Sequence, residues 1–171
     1  MTERVRVAVR VRPLNGRERE AGTRNVVRCV SPKELEITCP SAGGVSAVKK
    51  WSFDVCADGG QADVFEGMGC RALLDSALRG VKATCFAYGA TGSGKTHTVV
   101  GELVDDSSGG LRRGPEDVGL IEHGARYLFE KASPKLSVIA SFYEVYNENV
   151  FDLLDAGKTP LPVRHNADDK N

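Results

Sequence analysis

Lys95 and Thr96 close the run Gly89-Ala90-Thr91-Gly92-Ser93-Gly94-Lys95-Thr96, and these residue types in this order suit one kind of chemistry. Glycines at 89, 92 and 94 let successive backbone N–H groups turn into one concavity, which matches the oxygens of an α- and a β-phosphate. The Lys95 ammonium has the reach and charge for β- and γ-oxygens, and the Thr96 hydroxyl can ligate Mg2+. A Gly/Ser-rich turn could carry the same letters by accident, so context has to separate the two. The apolar, β-prone run Ala83-Thr84-Cys85-Phe86-Ala87-Tyr88 precedes the glycines, and a helical pattern can follow Lys95. Strand, loop and helix in that order are the setting of a phosphate-binding P-loop. The expectation is a site for a nucleoside triphosphate.

The elements that must hold this loop follow from periodicity. Residues 4–12 alternate, with Val5, Val7, Val9 and Val11 on one face and Arg4, Arg6, Arg10 and Arg12 on the other. Pro13 removes a donor and ends the strand. Short strands are predicted over 26–30, 34–39 and 47–53, with Pro40-Ser41-Ala42-Gly43-Gly44 as a hairpin-like connection. Val64, Phe65, Met68, Ala72, Leu73, Ala77 and Leu78 recur at helical spacing over 61–79, and Gly80 ends the pattern. After the P-loop, a Gly-, Ser- and Asp-rich stretch over about 101–119 has no periodicity and is predicted to interrupt the helix that begins at Lys95. Trypsin is expected to nick the chain first there, at Arg112 or Arg113; early cleavage within 61–79 in a digestion time course would contradict this layout. Helix resumes over 120–131, a long strand is predicted over 135–146, and the polar residues from Thr159 onward read as a connection.

Composition narrows the classes. A chain of 171 residues, 41% apolar and 27% charged, is that of an ordinary soluble globule with one domain. Lys+Arg and Asp+Glu balance at 23 each, which gives no electrostatic case for nucleic acid or a membrane surface. No apolar run is long enough to span a bilayer, and the strand-like pattern begins too close to Met1 for a signal peptide. Cysteines 29, 39, 56, 70 and 85 are odd in number and form no C-x-x-C pair. They read as reduced thiols inside the cell, with neither a disulfide framework nor a zinc site.

The order of these pieces resembles the kinesin motor domain, and five motifs carry the resemblance. Val5-Arg6-Val7-Ala8-Val9-Arg10-Val11-Arg12-Pro13 is similar to the family's first strand with its R-x-R-P ending. Trp51-Ser52-Phe53-Asp54 resembles F-x-F-D, and Gln61 with Val64-Phe65 fits the start of the helix after it. Phe86 to Thr98, with His97 after the P-loop threonine, is close to the kinesin P-loop nearly letter for letter. Ser141-Phe142-Tyr143-Glu144-Val145-Tyr146-Asn147-Glu148, then Phe151-Asp152-Leu153-Leu154, resembles S-x-x-E-I-Y-N-E…D-L-L.

The resemblance implies an α/β P-loop NTPase fold with a mixed central sheet, of which residues 1–171 would be the N-terminal half. It implies ATP and Mg2+ as cofactors, hydrolysis coupled to movement along microtubules, tubulin as partner, and the cytoplasm and cytoskeleton as location. Carried over residue by residue, Gly89, Ala90, Thr91, Gly92, Ser93, Gly94, Lys95 and Thr96 would hold the phosphates. Lys95 would stabilise their charge and Thr96 would ligate the magnesium. Arg10, Arg12 and Pro13 would wall the adenine side with His97 near the base, since a guanidinium or an imidazole can stack on a purine. Arg4 and Arg6 read as a solvated strand face.

Several positions depart from the family pattern. Ala90 stands where Gln is frequent, Val99 where Met is usual, Lys82 where Asn is usual, and Leu120-Ile121-Glu122-His123 replaces I-I-P-R. None of these removes a phosphate-binding group. Neither N-x-x-S-S-R-S-H nor D-L-A-G occurs in the 171 residues, and such switch segments orient the attacking water and follow the γ-phosphate. Asp106-Ser107-Ser108-Gly109 matches D-x-x-G with no apolar strand before it, so it reads as a solvent loop. Val150 to Asp155 mimics a strand ending in a magnesium-positioning acid, but the resemblance places it in a structural stretch. Glu144, Tyr146, Asn147 and Glu148 read as a strand end satisfying its own hydrogen bonds rather than as a carboxylate cluster. No complete catalytic set is expected, and the 171 residues alone are expected to be neither a working motor nor a stable domain. Two rivals stay open. A small P-loop phosphotransferase would need an arginine-rich lid, and the loop supplies only Arg112 and Arg113. A non-hydrolysing nucleotide-binding remnant could serve as an interaction module.

Overall fold

The computed structural model describes residues 5–39, 46–102, 104–105, 111–112, 118–131, 137–157 and 159–163. The Pro40–Gly44 connection, Asp106–Gly109 and Arg113 lie outside the described residues. The chain divides into two compact units, residues 1–131 and 132–171.

In the first unit, β1 (Ala8–Arg10) pairs in parallel with β5 (Val55–Ala57), Val9 opposite Cys56. Backbone bonds extend that pairing beyond the strand ends: Val55 N–H donates to Val7 O and Val11 N–H to Ala57 O. Asp54, from the Trp51-Ser52-Phe53-Asp54 motif, accepts the Val7 N–H at 3.0 Å and so holds the entry of β1. Between them lies α1 (Gly16–Glu20), which periodicity did not predict. Its signal was local: Asn15 and Glu18 form a capping box, each side chain taking the other's backbone N–H at 2.9 Å. An antiparallel sheet follows, β2 (Val27–Ser31), β3 (Glu34–Cys39) and β4 (Ala47–Ser52), close to the predicted strands.

The helix predicted over 61–79 is two helices, α2 (Gln61–Gly67) and α3 (Cys70–Leu78). The break is at Gly69, whose φ of 73° ends one helix and starts the next. A β-carbon there would collide with the Arg6 guanidinium, so Arg6, exposed as predicted for its strand face, also reaches the break. Glu66 and Arg71 bridge the break at 2.6 Å.

α4 (Lys95–Val99) is one short turn after the P-loop, and α5 is Leu120–Lys131. Between them the structure places short strands β6 (Val104–Asp105) and β7 (Leu111–Arg112), antiparallel, where the sequence predicted no regular structure. The ends of this excursion are pinched by a bridge between Gly101 and Val118 and by Gly119 N–H donating to Val100 O at 3.3 Å. Backbone from Val99 to Gly101 lies 2.5 Å from where a Gly119 β-carbon would sit, which is why that residue has no side chain. The core is small: Leu35, Val55, Cys56, Val64, Phe65, Val118 and Tyr127, with Val64 fully buried. Around it Phe65 stacks on His123 at 5.3 Å, Arg71 covers the Tyr127 ring at 4.8 Å, and the Tyr127 hydroxyl donates to Asp75 at 2.7 Å.

In the second unit, β8 (Tyr143–Tyr146), β9 (Asn149–Asp152) and β10 (Pro160–Leu161) form an antiparallel meander in the order β10-β9-β8. Asn147 and Glu148 make the turn, both with positive φ (48° and 61°), the backbone of a tight hairpin. Glu144 to Glu148 is thus a strand and its turn, not a carboxylate site, and Asp152 is a ladder residue opposite Tyr143. The long strand predicted over 135–146 is a paired strand only from Tyr143; residues 137–142 carry no ladder. The same is true of residues 82–88, the strand predicted to lead into the P-loop. Among the described residues the paired strands stand in four small sheets.

Candidate functional site

The P-loop runs from Gly89 into α4, and its glycines have conformational work. Gly92 and Gly94 sit at φ of 81° and 92°, where any side chain would be strained. A β-carbon on Gly89 would come within 2.6 Å of the Ser93 hydroxyl, so that residue is small because the loop closes on itself. Ser93 N–H donates to Ala90 O at 3.1 Å and forms the inner turn. Over this turn folds Lys95, whose ammonium donates to the carbonyls of Gly89 at 2.7 Å and Ala90 at 3.0 Å. The first helical bond is from Thr98 N–H to Gly94 O at 2.9 Å. The amides of Lys95, Thr96 and His97 therefore have no acceptor within their own helix. Thr96 is exposed. An ammonium, open amides and a free hydroxyl, with no carboxylate from 89 to 96, form a donor set that fits a magnesium-bound triphosphate.

Arg12 ties the loop to the rest of the unit. Its Nε donates to the Gly92 carbonyl at 3.0 Å, Nη1 donates to Pro13 O, and the fork takes the Glu18 carboxylate at 2.6 and 2.7 Å. Arg12 and Pro13 are thus placed at the junction of β1, the α1 cap and the loop. The hydrogen bond from Arg12, then that from the Asn15 backbone, pulls the Glu18 carboxyl down to about 2 from an ordinary 4.5. A carboxyl lowered on folding contributes stability that is present above about pH 4.5 and lost as pH falls toward about 2. Glu18→Gln is expected to flatten acid destabilisation in that window, read as the loss of far-ultraviolet circular dichroism with falling pH at fixed temperature; an unchanged profile would show that the pair contributes nothing.

Arg10, on the same strand, turns elsewhere. Its Nη1 donates to Gln61 Oε1 and to Thr98 Oγ1, both at 2.8 Å, and burial lowers its pKa from the ordinary arginine value. Gln61 in turn faces His97, through Nδ1 at 3.0 Å and through the backbone carbonyl. His97 is half-exposed, with Nε2 3.9 Å from Glu102. The structure thus gathers Arg10, Arg12, Pro13, the P-loop and His97 around the start of α4.

A family model described as the kinesin motor domain matches residues 10–171. This chain belongs to the kinesin motor-domain family. Kinesin-like protein KIF11 of Xenopus tropicalis is 36% identical over 158 residues, covering 88% of this chain and 14% of that protein. Kinesin-like protein KIF22 of Danio rerio is 34% identical, covering 98% of this chain and 26% of that one. Among solved structures a fast kinesin superposes with a TM-score of 0.76 at 28% identity, over 95% of this chain and 44% of that chain. The fold is therefore the α/β kinesin-motor fold, and the chain spans less than half the length of each of these relatives. Among the described residues no helix is long and apolar enough to cross a membrane.

Three residues that the structure ties to Arg10 and Arg12 are not singled out by the sequence. Gln61 was visible only as the start of a helix, Thr98 as a letter after the P-loop, and Glu18 not at all. The Asn15-x-x-Glu18 spacing could have found Glu18 as a cap, but its pairing with Arg12 depends on β1 and α1 meeting. Gln61 and Thr98 lie 51 and 88 residues from Arg10, so no local spacing joins them.

Proposed function

We propose that this chain binds Mg-ATP at the P-loop and supplies the nucleotide-holding part of a kinesin-type microtubule motor. The observation that carries the reading is the Lys95 ammonium held over a glycine-turned loop by the Gly89 and Ala90 carbonyls. A triphosphate offers better acceptors than neutral carbonyls, so Lys95 is poised to exchange one set for the other. Gly89 to Thr96 would hold the phosphates, the Thr96 hydroxyl would ligate the magnesium, and Arg10, Arg12, Pro13 and His97 would form the base side. When bound, magnesium would neutralise phosphate charge. The motor that this segment serves hydrolyses ATP, engages tubulin, and works in the cytoplasm on the cytoskeleton. The family and the likeness to a fast kinesin support that assignment.

The non-hydrolysing interaction module remains the second reading, favoured by apolar side chains left exposed at Phe86, Tyr88 and Ile139. Titration with a fluorescent ATP analogue, with magnesium and with a chelator, tests nucleotide binding. Affinity is expected to fall by about tenfold or more without the metal. Equal affinity in both conditions would remove magnesium from the site, and no binding in either would overturn the nucleotide site on which both readings rest.

A further inference from the structure

Gln61 is among the most buried polar side chains of the first unit, 4% exposed at the first position of α2, and both ends of its amide are used. Its environment fixes which way the amide points. The Arg10 guanidinium can only donate, so the atom facing it at 2.8 Å is the amide oxygen. The His97 backbone carbonyl can only accept, so the atom facing it is the amide nitrogen. The second proton of that nitrogen points at His97 Nδ1, 3.0 Å away. Two N–H groups cannot face each other in a hydrogen bond, so Nδ1 is the acceptor and the ring proton sits on Nε2. That nitrogen lies on the far edge of the ring, 3.9 Å from Glu102. The chain of constraint runs from Arg10, through a buried amide, to the tautomer and orientation of a half-exposed histidine two residues after the P-loop lysine.

We propose that Gln61 is a positioning residue for the base side of the nucleotide site: it locks His97 with Nδ1 inward and Nε2–H outward, and holds Arg10 behind it. Thr98 completes the lock, accepting from Arg10 while donating to Gly94 O at 2.9 Å, which couples the histidine's setting to the loop backbone. Arg10 Nε is buried without a partner, so Nη1 and its two acceptors carry the side chain's placement. Gln61 reaches the nucleotide only through Arg10 and His97. This rests on the binding of Mg-ATP proposed above, with Arg10 and His97 toward the base.

The test separates base from phosphates. Binding of Mg-ATP and of magnesium tripolyphosphate, which has no base, is measured by calorimetry for wild type, Gln61→Leu, Gln61→Glu and Lys95→Ala. Gln61→Glu keeps the acceptor for Arg10 but sets a carboxylate against the His97 carbonyl; Gln61→Leu removes both functions. Both are expected to weaken Mg-ATP about tenfold while leaving tripolyphosphate within about twofold, whereas Lys95→Ala weakens both ligands. Equal losses for the two ligands in the Gln61 variants, or none, would overturn the positioning role while leaving the P-loop reading intact. Wild-type binding of neither ligand would sink the P-loop reading and this inference with it. Nitrogen NMR of the histidine ring gives a second readout that needs no ligand. Wild type is expected to show an unprotonated Nδ1 and Gln61→Leu a mixture of tautomers; a wild-type ring protonated on Nδ1 would overturn the lock. Circular dichroism of each variant identifies any that fail to fold, and the wild-type tautomer decides the matter in that case.

Discussion

Lys95→Ala is expected to weaken Mg-ATP binding by roughly 100-fold or more, the largest single-residue effect in the chain. Hydrogen bonds to charged groups contribute about 1.5–3 kcal/mol each, and a lysine on a triphosphate makes more than one. The change acts on the free loop as well. The ammonium now donates to Gly89 O and Ala90 O, and its loss removes the side chain that closes the loop on itself. Lys95→Arg keeps the charge, but a planar fork does not fit where a compact ammonium meets two carbonyls, so it is expected to recover only part of the affinity. Titration of a fluorescent ATP analogue against the three proteins, with circular dichroism to confirm the fold, checks this. Equal affinity for wild type and Lys95→Ala would end the P-loop assignment.

The second large effect concerns the 171 residues as a unit. By themselves they are expected to show no microtubule-stimulated ATP hydrolysis and no single cooperative melt, and to associate as concentration rises. Residues 82–88 carry no ladder, with Phe86 78% and Tyr88 95% exposed. Residues 137–142 carry none either, and Ile139 is 92% exposed. An apolar strand with open N–H and C=O groups is a template for pairing with another chain. The P-loop site draws on elements packed around Val64 and Phe65 in the first unit. Phe86→Lys is expected to reduce association, seen by light scattering, while leaving nucleotide affinity unchanged. A cooperative melt together with hydrolysis stimulated by microtubules would show that the essential parts lie within these residues.

Read from residues alone, the strongly periodic and locally punctuated elements came through. The helix over 120–131 and the strand over 34–39 match residue for residue, because a helical stripe and a period-two run are set within a few residues of themselves. The P-loop was legible for the same reason: Gly89, Gly92, Gly94 and Lys95 make their conformational and charge demands within eight residues. Tertiary structure decided what local pattern could not. Met68 continues the helical stripe of 61–79, yet the chain breaks beside it at Gly69, whose φ of 73° leaves the helix, and the Arg6 guanidinium lies where a β-carbon there would sit. Arg6 and Arg10 looked alike on one strand face, and their separate roles arise only where α2 and α4 meet that face. The runs 82–88 and 137–142 have the composition of strands, but a strand is a relation between two segments, and neither forms a ladder here, Phe142 alone taking a backbone bond from Leu153. Gln61 is the sharpest case. Nothing within several residues of it distinguishes a helix-starting amide from a site residue, and its role comes from Arg10 and His97, brought to it across 51 and 36 positions of the chain by packing alone.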